Sequence, residues 1–134
     1  MVKKMELTFE ELIEFLKIPI MERRLIKFYY ESKSGKEEWR TIRPYMLIPK
    51  GENIQLVGTP TEELSKSPND RQAGHYIITK LDLEKFEILS ERFNDPGMPR
   101  NKVVNTQGKV ICRFIYDDED EKKVKSQWIS IRDL

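Results

Sequence analysis

The chain has 134 residues, 38% hydrophobic and 35% charged, enough for one domain with a buried core under a densely charged surface. Its 24 basic and 23 acidic side chains leave a net charge of +1, so any nucleic-acid role must rest on a local patch rather than a global field. Apolar runs of only a few residues exclude a membrane-spanning helix, and the lone Cys112 excludes an internal disulfide.

Lys3 and Lys4 are followed by Glu6, Glu10 and Glu11 instead of an apolar core, so no signal peptide is expected. The expected setting is cytoplasmic, with Cys112 a small buried apolar residue. Thr8 and Glu11 have the spacing of a capping box, and Phe9, Leu12, Ile13 and Leu16 fall on one helical face behind it. Pro19 is expected to end this helix, because the residue before a proline is pushed out of the α region. Too short to stand alone, and with no partner for a helix-turn-helix, the helix must pack on the sheet formed by the strands after it.

From Arg24 the periodicity becomes two. Ile26, Phe28 and Tyr30 mark a first strand over Arg24 to Glu31, and a second runs from about Glu38 to Ile48. Ser34-Gly35 and Lys50-Gly51 are placed to reverse the chain as hairpin turns. Arg43-Pro44 predicts a bulge, since proline has no ladder donor. A third strand covers Asn53 to Thr59, followed by a polar loop from Pro60 to Gly74, most simply a surface insertion. A fourth strand is predicted over His75 to Leu81, a fifth over Lys85 to Leu89, and a turn at Asn94-Asp95-Pro96-Gly97. Beyond it, alternation through Val110, Cys112, Phe114 and Tyr116, with a second strand from Val124 to Ile131 that carries Trp128, Ile129 and Ile131, predicts a C-terminal hairpin. The acidic run Asp117 to Glu121 is read as its solvated tip, lacking the spacing and glycine of a calcium loop.

Catalytic chemistry finds little to work with. One histidine and one cysteine cannot make the usual zinc sites, no glycine turn presents a nucleophile, and no glycine-rich loop cradles phosphate. No enzyme activity, cofactor or metal is expected. Binding has more support. Arg23, Arg24, Lys27, Arg40, Arg43, Lys50 and Lys80 interleave with Tyr29, Trp39, Tyr45 and Tyr76, as a single-strand binder requires. The competing reading puts the rings in the core and the cations on a solvated rim beside Glu31, Glu37 and Glu38.

The middle of the chain, from about Leu25 to Phe93, resembles a WYL domain, an Sm-like or SH3-like β-barrel of bacterial transcription regulators. The resemblance rests on order. A strand with Phe28, Tyr29 and Tyr30 is followed by a glycine turn, the proline strand Pro44-Tyr45-Met46-Leu47 and a second glycine turn. Ile54-Gln55-Leu56, then Val57-Gly58, stands at the signature tripeptide, with leucine alone kept from Trp-Tyr-Leu. Tyr76 to Leu81 stands where the family has an arginine-bearing run, Lys80 matching one arginine by charge, and Phe86 to Phe93 resembles the closing strand.

The expected fold is therefore mainly β, with minor α content. A single domain over 1–134 comprises a helix (1–20), an SH3-like or Sm-like barrel (21–93) and a hairpin extension (94–134). Arg40, Arg43, Tyr45, Gln55, Tyr76 and Lys80 are the candidate binding residues. Single-stranded nucleic acid or a small ligand is the expected partner, along with a protein carrying a DNA-binding domain. The resemblance implies an accessory regulatory subunit. The alternative is a structural subunit that forms a homodimer through the C-terminal hairpin, whose strands are apolar on both faces, and binds no nucleic acid.

Overall fold

A computed structural model of the chain describes residues 7–31, 35, 37–104 and 109–133. The first helix, α1, spans Phe9–Met21 behind the expected capping box. The Thr8 hydroxyl accepts the Glu11 N–H at 3.1 Å, and the Glu11 carboxylate accepts the Thr8 N–H at 3.0 Å. Pro19 does not end the helix. It lies buried inside it, and the Glu22 N–H still closes the last turn on the Ile18 carbonyl. The reason is packing: Ile13, Leu16 and Ile20 form one buried stripe, and burying the last of these opposes the roughly 3 kcal/mol that an interior proline costs. Arg23 then turns the chain with φ 58°, the left-handed conformation common just past a helix end.

Among the described residues six strands form one antiparallel sheet, five of them in the order β4-β3-β2-β1-β5, where β1 is Arg24–Glu31, β2 Glu37–Lys50, β3 Asn53–Pro60, β4 Gly74–Ile77 and β5 Phe86–Arg92, and the sixth paired with β2. The molecule is thus mainly antiparallel sheet with a few helices. Gly51, with φ 61°, makes the β2–β3 turn as expected; of the first turn, Gly35 has φ 80° and Ser34 lies outside the described residues. The predicted bulge is present: Pro44 opposes Gly58 but Met46 opposes Val57, leaving Tyr45 as the extra residue.

Two predicted strands are shorter or shifted. The fourth stops at Ile77, where Ile78–Lys80 winds into a 3-10 turn that still buries Ile78. The fifth begins at Phe86 and runs on to Arg92. The polar loop is not structureless, since Thr61–Ser65 and Pro68–Asp70 are 3-10 turns.

The C-terminal hairpin is a correction. Among the described residues of this segment only Cys112–Arg113 is strand, as β6, and the predicted partner from Val124 to Ile131 instead begins in the last turn of a helix, α3 (Glu121–Ser126), and ends at a 3-10 turn, Ile131–Asp133. Asp120 decides this locally: its carboxylate accepts the N–H groups of Lys122 and Lys123 and starts a helix where alternation implied a strand. The long β2 decides it globally. Its first half is covered by β1 on one edge, but β1 pairing stops at Ile42, and β6 takes over that edge at Met46 and Leu47. Val110, Ile111, Cys112 and Phe114 are thereby buried within the chain, so the surface expected to dimerise is already occupied.

The sheet is covered on both sides. On the α1 side, Ile13, Leu16 and Ile20 pack on Ile26, Phe28, Ile42, Leu56 and Tyr76. On the other, Tyr45, Met46 and Val57 pack against Phe93, Met98, Val103 and Phe114, with Val103 carried by a short helix, α2 (Arg100–Val104).

Candidate ligand-binding surface

The six candidate residues do not share one face. Side chains alternate along a strand, so Arg40 and Arg43, three positions apart on β2, point to opposite sides of the sheet. Arg40 lies on the α1 side, paired to Glu38 at 3.1 Å and 5.9 Å from the Tyr76 ring centre. Those two predicted residues do meet, but Tyr76 is buried edge-on against Phe28 and Tyr30 and offers no exposed ring. Burial pushes the Tyr76 phenol above its ordinary pKa, with Arg40 pulling the other way.

Arg43 lies on the opposite side, donating to the Asp95 carbonyl at 2.7 Å near the Phe93 ring. The bulge that Pro44 creates displaces Tyr45, not Arg43. Tyr45 is 3% exposed, its phenol pushed up by burial first and then by Tyr116. Gln55 is half-buried on the same side as Tyr45, level with Ile48 and Ile77, and its Oε1 has no hydrogen-bond partner. Lys80 is exposed on the 3-10 turn past β4.

What the fold does bring together lies on the side away from α1. A cavity of about 390 Å³ has Tyr45, Met46, Ile48, Val57 and Met98 as apolar floor, with Arg71, Gln72, His75 and Lys102 around it. Among the described residues no carboxylate lines it. His75 is held below its ordinary pKa, by desolvation and then by Lys50, so it is neutral at pH 7 and the standing charges are Arg71 and Lys102. Sequence reasoning missed Arg71 and Lys102. One sits in the polar loop and the other in a five-residue helix, neither long enough to show a periodic face.

The acidic run is solvent-exposed as expected, except at Glu119, but it is not the tip of a hairpin. Asp117 pairs with Arg23 at 2.8 Å, Asp118 with Arg100 at 2.9 Å and Glu121 with Lys125 at 2.7 Å, while Asp120 caps α3. Glu119 takes both terminal nitrogens of Arg113, at 2.7 and 2.9 Å, and accepts the Tyr116 N–H as well. Arg113 is 3% exposed, and its hydrogen bonds hold the Glu119 carboxyl below the usual range. These contacts tie the C-terminal segment to the turn between α1 and β1, to α2 and to β6. Cys112 is buried, its thiol pushed up to about 12, which leaves it protonated and unreactive. Among the described residues no group of three or more His, Cys, Asp or Glu is placed to hold a metal ion. No described helix is long and apolar enough to cross a membrane.

Residues 13–67 match the WYL domain family model, a stretch running from within α1 through β1, β2 and β3 to the polar loop. Arg40, Arg43, Tyr45 and Gln55 fall inside the match, and Tyr76 and Lys80 lie beyond it. Among solved structures, proteasome accessory factor B/C (PafBC) of Arthrobacter aurescens is similar, with a TM-score of 0.49 and 17% sequence identity. That alignment covers 61% of this chain and only 12% of the PafBC chain. No curated protein is significantly similar to the chain.

Proposed function

We propose that this WYL-like chain is a non-catalytic regulatory binding module of the cytoplasm. Its meander of strands is read as an SH3-like barrel. It takes a small ligand or single-stranded nucleic acid on the sheet side away from α1, and a partner carrying a DNA-reading domain conveys the outcome. The observation that carries this is the 390 Å³ cavity, whose apolar floor is edged by Arg71 and Lys102 with no carboxylate lining it among the described residues. An apolar floor with a cationic rim suits a base lying flat with its phosphate turned to the edge. Tyr45 lines the floor but is no open stacking platform, because it is 3% exposed.

The test is a titration of fluorescently labelled single-stranded DNA and RNA at two salt concentrations, with wild type and Lys102→Ala. Phosphate contacts predict affinity that falls with salt, and a salt slope reduced by about one in the variant. Flat curves for every oligonucleotide would remove nucleic acid from the reading and leave a small ligand.

A further inference from the structure

A second groove, of about 510 Å³, adjoins the first through Arg71 and Met98. It lies between the 3-10 turns of the polar loop and the turn around Gly97, and three arginines line it: Arg43, Arg71 and Arg100. Their charges are answered very differently. Arg100 is bidentate to Asp118, at 2.9 and 3.0 Å, and is largely neutralised. Arg71 instead donates to three backbone carbonyls, those of Lys66 at 2.9 Å, Gly97 at 2.7 Å and Leu64 at 3.0 Å. Arg43 donates to the Asp95 carbonyl at 2.7 Å.

Among the described residues neither Arg43 nor Arg71 has a carboxylate within salt-bridge distance. The one carboxylate lining the groove, Asp95, uses Oδ1 to accept the Gly97 N–H at 2.6 Å. Carbonyl dipoles fix a guanidinium in place without cancelling its charge, and a guanidinium with five N–H donors keeps some for a ligand. The carbonyls that hold Arg71 come from both walls of the groove, so its side chain is set before any ligand arrives.

We propose that this groove is an oxyanion site, in which Arg43 and Arg71 together hold a phosphate group. The phosphate is either free or carried by a small molecule whose remainder lies over Pro68, Met98 and Pro99. The site stands on its own geometry and not on oligonucleotide binding in the neighbouring cavity.

Calorimetric titration with inorganic phosphate, adenosine monophosphate and adenosine tests it, in chloride buffer of matched ionic strength, on wild type, Arg43→Gln and Lys17→Ala. Saturable binding of both phosphate compounds and none of adenosine is expected. Arg43→Gln should weaken it about ten-fold or more, as loss of charge-assisted hydrogen bonds implies, while Lys17→Ala, on α1 across the sheet, should leave phosphate affinity unchanged. Tighter binding of the nucleotide than of phosphate identifies a carried phosphate, and equal binding identifies a free one. If Arg43→Gln does not fold, Arg43→Lys replaces it, with weaker binding expected because the charge remains but the planar fork is lost. Wild-type affinity in the folded Arg43 variant, or no phosphate binding above the chloride background, would overturn the proposal. Loss of oligonucleotide binding alone would leave it standing.

Discussion

Arg113 and Glu119 form the one buried ion pair that links β6 to the acidic run, with side chains 4% and 14% exposed. A buried guanidinium deprived of its carboxylate retains its desolvation cost without its partner, so Glu119→Gln should destabilise the fold by about 3 kcal/mol in urea titrations at pH 7. The same pair sets a pH dependence. Arg113 lowers the Glu119 pKa below the ordinary 4.5, so its stabilisation is fully present above that value. The stabilisation is lost as pH falls from there through the lowered folded value. Wild type should therefore lose stability steeply in acid, and Glu119→Gln should show a shallower decline over the same interval. An unchanged acid profile in the variant would mean that other carboxylates govern it. Arg23 shows the same economy at the other end of the segment. It takes φ 58° without being glycine, and its side chain reaches the Ile115 carbonyl at 2.6 Å, Asp117 at 2.8 Å and the Phe114 ring at 4.5 Å.

Among the elements, α1 is the most fully encoded locally. Thr8 and Glu11 close its capping box as their spacing implies, and Thr8→Ala should cost about 1 kcal/mol, read as a lowered urea midpoint with an unchanged slope. Its far end shows where local rules stop. Pro19 disfavours a helix, but Ile20 is 1% exposed in the core, and the packed stripe carries the helix to Met21. The strands β1, β2 and β3 were legible because alternation and glycine turns are local signals. The segment after Gly97 was not. Val110, Cys112 and Phe114 alternate like a strand and are buried like one, yet only Cys112–Arg113 joins the ladder. Beyond them an aspartate cap starts α3, and Trp128, Ile129 and Ile131 follow its end at Ser126 outside any strand.

For the whole molecule, the C-terminal segment is part of the core and not an appendage. It completes the edge of β2, with the Ile111 N–H on the Leu47 carbonyl at 2.9 Å and the Phe114 N–H on the Tyr45 carbonyl at 2.7 Å. Native-state hydrogen exchange should therefore protect Ile111 and Phe114 to the same level as the central β2–β3 amides. Markedly faster exchange at those two positions would show that the segment opens separately.

The sequence by itself determined the capping of α1, the three-stranded meander, its bulge at Pro44 and the WYL-like character of the first half. Each is written in neighbouring residues through periodicity, capping and turn chemistry. Tertiary structure alone decided the proposed binding surface. A spacing of three along a strand separated Arg40 from Arg43, and burial turned Tyr45 and Tyr76 from exposed platforms into core. Loop closure brought Arg71 and Lys102, 31 positions apart in the chain, to one cavity. Which cations share a groove, and which are cancelled by a carboxylate, depends on contacts between distant segments, and no local pattern encodes those.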